Sequence, residues 1–366
     1  MAGLKGRGRL IDWLLEPSHP WIRYNTLVEL LDVPRSEGEA VEALAEVMRT
    51  PPISKILDGL DPNGGFTDAE AVKKWGVHPV AAGYMPKYRG AAWKLLFLAE
   101  AGADPDDERV KKLIGVIRSN TYRKEYGTFC LRFDRDGRSN DFLMPCFMGN
   151  MIWSLCKLGL DAFEVRSAFD WLVKYQRYDD GGFQPPSEFP YRGSGERCWG
   201  RHTCYWGVTN LLRAMTVVPR SFWTSEAKEA RRRGVDFVRL HRLLWSSHDP
   251  SRPITTNNTR PQRLTAPLTY YHDAIEIVSI MLSLGVEGGA VDDAIEFILS
   301  KRNEDGRWVL DNAPGPLDAP FGSKGRESKW ITLRALKMLK QAGRYDPHQR
   351  RPRSVIFNVH RVGCRG

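Results

Sequence analysis

The sequence predicts an all-α protein, an (α/α)6 toroid in which buried inner helices alternate with amphipathic outer ones. Three observations predict it: apolar segments recur at a near-constant period, two kinds of segment alternate, and strand-like alternation is scarce. With 42% hydrophobic and 27% charged residues in 366, the composition excludes a disordered or collagen-like chain.

The apolar segments close near Val33, Gly102, Gly159, Pro219, Gly285 and Gly343, at intervals of 57 to 69 residues. A repeat of about 60 residues is two helices with their connections, the mark of a stacked array. Turns rich in Asp, Asn and Gly punctuate it: DPNGGF (61–66), DRDG (134–137), YDDGGF (178–183) and NEDGRW (303–308). Such residues tolerate positive φ and favour reversals.

Taken in order, Leu10–Leu15 begins an outer helix and Trp21–Leu31 is the first inner one. Glu39–Met48 (outer) and Arg89–Glu100 (inner, through LLFLAEAG) follow. Asp107–Ser119 is outer, with Asp104 as its N-cap, Pro105 at its first position and acids in its first turn. Cys146–Leu158 is inner, opened by Pro145, and Ala162–Tyr175 is outer. Cys204–Met215 is inner, started by Thr203 after a bend at Gly200, and Ser225–Leu243 is outer. Asp273–Leu284 (inner, IVSIMLSLG), Val291–Lys301 (outer) and Trp330–Lys340 (inner) complete six of each kind. Inner segments are apolar nearly all round, which requires burial on several sides. The set closes as a ring, although an open solenoid uses the same parts. In either case the outer helices carry the chain back, so all inner N-termini gather at one end and attract anions there.

Residues 1–343 form one domain in this reading, and 344–366 a basic tail. The net charge of +10 sits mostly at the two ends, so it argues for solvated tails rather than specific nucleic-acid binding, with phosphate contact by Arg350, Arg351 and Arg353 the lesser alternative. No apolar run of about 18 residues occurs, and the N-terminal stretch is too short in apolar residues for a secretory signal; a cytoplasmic protein without a transmembrane segment is expected. The cysteines at 130, 146, 156, 198, 204 and 364 are then thiols, core residues or metal ligands rather than a disulfide framework.

Cys198-Trp-Gly-Arg-His202-Thr-Cys204 opens the fourth inner helix, one helix away from Cys146. Either Cys146, Cys198, His202 and Cys204 form a tetrahedral zinc site, or the cysteines are small buried hydrophobes and His202 is simply hydrogen-bonded. The same end gathers Tyr88, Arg89, Arg138, Arg201, His272, Asp273, Lys329 and Trp330, cations beside aromatics that suit a ligand with an anionic head and an apolar body. Asp273 is the candidate acid or base. Pairing of these cations with Asp or Glu across helix ends is the alternative for each. Ser247-His248-Asp249 lies in an irregular stretch and caps the pocket or is only a turn. Asp104-Pro-Asp106-Asp107 matches a cyclase acid signature formally, but the capping role explains it. GxxxxGK[ST], GxSxG and HExxH are absent, leaving phosphate-loop, serine-hydrolase and zincin chemistries unsupported.

These GGF-type turns and buried helices resemble the terpenoid cyclase and protein prenyltransferase toroid superfamily over about residues 10–343. GRSNDFLMPC (137–146) resembles a prenyltransferase β-subunit segment, which implies a zinc ligand at Cys146 and a diphosphate contact at Arg138. HTCY (202–205) implies His202 as a further ligand. Met144 stands where that family has its aspartate ligand, and Asp141 replaces a lysine, so the set departs from the pattern. HPWIRYNTLVELL, CWGRHTCYWG and ESKWITLRALK are similar to the prokaryotic squalene-cyclase-like, prenyltransferase-repeat proteins. The resemblance implies binding or transformation of an isoprenoid or similar lipid, possible transferase or cyclase activity, and zinc. Two rivals stand beside it: a non-catalytic ligand-binding or scaffold protein, and a glycan-active barrel, which needs paired carboxylates in its cavity.

Overall fold

Helices fall where apolar residues recur at helical spacing, and the structure, a computed structural model, is mostly helical. It describes residues 8–61, 65–66, 83–84, 87–135, 138–181, 188, 190–191, 196–199, 202–254, 260–314 and 320–348, with backbone alone for 132–135, 138–140 and 196–197. In chain order these are α1 (Arg9–Leu14), α2 (Pro20–Asn25, continued by a π-helical turn at Thr26–Leu30), α3 (Gly38–Arg49), α4 (Ile53–Asp58), α5 (Ala91–Ala101), α6 (Glu108–Thr121) and α7 (Pro145–Lys157). There follow α8 (Arg166–Tyr175, entered by a tighter turn at Ala162–Val165), α9 (Glu196–Trp199), α10 (Tyr205–Met215), α11 (Ser225–Leu240), α12 (Ala274–Ser283), α13 (Ala290–Ser300) and α14 (Lys329–Gln341). The expected segments fall within a few residues of these bounds. The short α4 and α9 were not foreseen. Among the described residues no helix is long and apolar enough to cross a membrane.

The glycine stops act as the sequence suggests. Gly102, Gly159, Gly285 and Gly343 all have positive φ, which only glycine adopts without strain. Beyond each, the next N–H reaches back to a carbonyl of the last turn: Ala103 to Leu98 and Leu160 to Leu155, both at 3.0 Å. This left-handed closure satisfies carbonyls that the helix leaves open.

Two helix starts differ from expectation. Asp107, not Asp104, caps α6, its carboxylate accepting from the Arg109 N–H at 2.8 Å, while Asp104 accepts from Asp106 in the preceding turn. Cys204, not Thr203, is the N-cap of α10. Its backbone is already extended, and the buried Thr203 hydroxyl has no hydrogen-bond partner among the described residues. Strands are few among the described residues, but RSNDF (138–142) is one of them. β1 (Tyr122–Arg123) pairs with β2 (Thr128–Phe129), and β3 (Leu131–Arg135) pairs antiparallel with β4 (Arg138–Phe142) in the register Leu131↔Phe142.

Packing follows the two helix classes. The all-round apolar helices α2, α5, α7, α10, α12 and α14 pack in succession, and α14 packs in turn against α2 and its π turn. Each also packs against one amphipathic partner: α3, α6, α8, α11, α13 and, for α14, α1. One continuous apolar cluster joins them. α7 and α10 approach most closely at Gly149, where a Cβ would stand 2.4 Å from the Asn210 carbonyl oxygen. Lys340 ties α14 to the π turn through the Leu30 carbonyl at 2.9 Å and Asp32 at 2.6 Å.

Candidate functional site

A cavity of about 530 Å³ opens between late residues of α7 and α10, the length of α12, the middle and end of α14, and the π turn. Trp153 and Lys157 of α7, Arg213 of α10, Glu276 of α12, and Arg334 and Lys337 of α14 line it, with Glu29 of the π turn. Late residues of α7 and α10 share this cavity, while early residues of α5 and α7 (Trp93, Phe147) share a small apolar pocket with Tyr84 and Tyr270, which agrees with α5, α7 and α10 running parallel. At α12 the cavity reaches the first turn, through Ile275 and Glu276, next to the expected anion-binding residues His272 and Asp273.

A chain of alternating charges crosses the interior beside it. Arg213, 1% exposed, donates to Glu100 at 3.1 Å and to Asn150 at 2.9 Å, and its Nε lies 2.8 Å from Glu276. Its guanidinium also stacks 3.6 Å from the Trp153 ring centroid. Glu276 lies 3.5 Å from Arg334, whose two terminal nitrogens donate to both oxygens of Asp273 at 2.7 and 2.9 Å. Three carboxylates thus face two guanidiniums. Burial relieves the imbalance by pushing the Glu100 carboxyl up to about 7, against the pull of Arg213 and Arg334. Neighbouring His272 is driven well below its ordinary pKa, first by burial and then by Arg213 and Arg334. Its ring is therefore neutral, and neither nitrogen has a hydrogen-bond partner among the described residues.

Most cations of the lining are matched: Arg213 and Arg334 as above, Lys337 by Glu29, and Lys340 by Asp32. Lys157 differs. Its side chain is exposed and makes no ion pair or hydrogen bond among the described residues; desolvation by the surrounding atoms, then Arg35 and Arg213, lower its pKa against the pull of Glu276. With Glu29 it also lines a second cavity of about 180 Å³ containing Arg35 and Asp104. Lys157 and Glu29 therefore stand where the two cavities adjoin.

The sequence-derived candidates divide into three groups. Cys146, Cys198 and Cys204 lie within electrostatic reach of one another. Burial raises each thiol, and Cys146 also feels the charges of the other two. Trp199 pins α9 to the approach of α7 by donating to the Leu143 carbonyl at 2.9 Å. Three thiols suit zinc by donor chemistry. His202, however, is exposed, its backbone bridged to Asp180 and its ring lying where a Cβ on Gly181 would fall. Among the described residues no three His, Cys, Asp or Glu side chains are disposed to hold a metal ion.

An aromatic group forms around Tyr88, which has φ +68° and faces Trp93 at 5.2 Å. Lys87 sits 5.0 Å from the Tyr88 ring and donates to the Tyr270 hydroxyl at 2.7 Å. Arg89 lies in the turn leading to α5, the Arg138 backbone lies in β4, and Arg201 falls outside the described residues, as do Arg350, Arg351, Arg353 and the tail beyond 348.

The remaining candidates are structurally engaged. Asp273 is the N-cap of α12, accepting from the Glu276 N–H at 3.0 Å while holding Arg334, so its oxygens are committed to the fold. Lys329 pairs with Glu16 at 2.5 Å. Trp330 packs tilted against both Trp21 and Phe321. Ser247 and His248 both turn to Asp180 rather than to each other, and Asp249 caps a turn at Ser251.

Glu100, Arg213, Glu276, Arg334, Lys337, Lys157 and Glu29 were missed by sequence reasoning. Their signal is a lone charge inside an otherwise apolar helix, as in LLFLAEAG, NLLRAM and ITLRALK, because such charges are seldom buried unless paired. No protein-family model matches the chain, and no curated protein does.

Proposed function

We propose that the chain is an (α/α)6 toroid that binds an organic anion with an apolar body in the cavity between α7, α10, α12, α14 and the π turn. The isoprenoid or lipid class implied by the sequence resemblance meets that description. The observation that carries the reading is Lys157, a cation in no ion pair among the described residues, in a cavity whose other cations are paired. Trp153, Ile275, Ile280 and Met338 offer the apolar body a surface. The volume of about 530 Å³ lies within the roughly 300–1,000 Å³ of small-molecule sites.

Calorimetric titration with a prenyl diphosphate, a fatty acid and inorganic diphosphate tests this. A charge-assisted hydrogen bond contributes about 1.5–3 kcal/mol, so Lys157→Ala should weaken binding roughly ten- to hundredfold. Equal binding by parent and Lys157→Ala, or none by the parent, would remove the reading. A second reading, zinc held by Cys146, Cys198 and Cys204, is favoured by the grouping of the three thiols; elemental analysis tests it.

A further inference from the structure

We propose that Lys337 is an imine-forming amine for carbonyl compounds that carry an anionic group, α-keto acids being the simplest class. The inference rests on the anion-binding reading of the same cavity and adds covalent chemistry to it.

Three features of the cavity carry it. The Lys337 side chain lines the cavity, with 30% of its surface exposed. Its partner is the Glu29 carboxylate, a group placed to take or return a proton at Nζ. Lys157, which makes no ion pair among the described residues, lines the same space and is the cation an entering carboxylate meets. Burial adds to this by pushing the Lys337 ammonium down to about 8. At pH 7 about a tenth of the amine is then neutral, against less than about a thousandth for an ordinary lysine. A desolvated lysine beside other cations is the usual way an amine becomes nucleophilic near neutral pH.

The step balances without an oxidant or reductant. The Nζ lone pair attacks the carbonyl carbon, and the carbonyl π pair moves to its oxygen, which takes a proton. Nζ releases a proton to Glu29, the carbinolamine hydroxyl leaves as water after protonation, and a protonated C=N bond remains. Hydrolysis reverses each transfer. The anionic group of the ligand faces Lys157, and an apolar substituent faces Trp153 and Met338.

The test uses the full chain with pyruvate and phenylpyruvate, trapped by borohydride and located by peptide mass mapping. Trapping at Lys337 should exceed that at exposed lysines roughly a hundredfold at pH 7, the ratio of neutral amine. It should vanish in Lys337→Met and Lys337→Arg, with folding of both checked by thermal melting, and should slow in Glu29→Gln. Lactate and phenyllactate, which lack the carbonyl, should leave no adduct yet protect against trapping. Adducts spread evenly over Lys157, Lys340 and surface lysines, or none at all, would overturn the proposal. If trapping fails while anions still bind in a Lys157-dependent way, only the covalent inference falls; if neither occurs, the anion site falls with it.

Discussion

The substitution Glu100→Gln replaces the carboxyl of the interior charge chain with a neutral amide of nearly the same shape. In the folded protein burial holds that carboxyl at about 7, whereas an unfolded chain releases its proton near roughly 4.3. Between those values the folded state keeps a proton that the unfolded state has lost, so stability falls as pH rises through the window and levels off above it. The separation corresponds to ~3.7 kcal/mol of stability present at low pH, of which about 3 kcal/mol is lost between roughly pH 4.5 and 8. His272 acts in the opposite sense, its depressed folded pKa removing stability as pH falls below its unfolded value of about 6.5. It is common to both proteins and cancels in their difference. Urea unfolding of parent and Glu100→Gln across roughly pH 4.5 to 8 should therefore show the variant gaining about 3 kcal/mol relative to the parent as pH rises. A difference that stays constant to within about 0.5 kcal/mol would refute the reasoning. It would mean that the pull of Arg213 outweighs burial and that Glu100 is ionised throughout.

Three further outcomes follow from the packing and the charges. Arg213→Met leaves Glu276 and Glu100 without their shared partner and should cost about 3–5 kcal/mol in urea unfolding; Glu100→Gln added to it should restore part of the loss, whereas simple additivity would argue against coupling. Gly149→Ala places a methyl against the Asn210 backbone and should destabilise by about 1–3 kcal/mol, whereas Gly115→Ala, with nothing near its Cβ, should be neutral or stabilising by thermal melting. A zinc site at the thiols should give one zinc per chain by elemental analysis, lost in Cys146→Ala and kept in Cys130→Ala; metal-free protein of full stability would remove that site.

Much of the helical framework was legible because its causes are local. LLFLAEAG and MIWSLCKLG are apolar on every face, so both must be buried wherever they pack, and the glycines that follow them end the helices through their own φ preference. Helix starts were less legible. Thr203 is the better capping residue by type, yet Cys204 occupies the cap, because the chain entering α10 is held by the Asp180–His202 bridge and by α9 rather than by propensity alone. The grouping of Cys146 with Cys198 and Cys204 was also foreseeable, since adjacent inner helices start side by side. The position of His202 was not, because a residue just outside a helix takes its direction from the loop.

By itself, the order of residues determined the alternation of buried and amphipathic helices, their approximate bounds and their stops, all of which depend on neighbours a few positions away. Only the tertiary structure decided where among the inner helices the charged cavity opens and which charges face one another. Glu100, Arg213 and Glu276 come from three different inner helices, and a charge has no preferred partner along the chain. Its pairing, its desolvation and hence its protonation state are set by the distances and burial that exist only once the helices have packed.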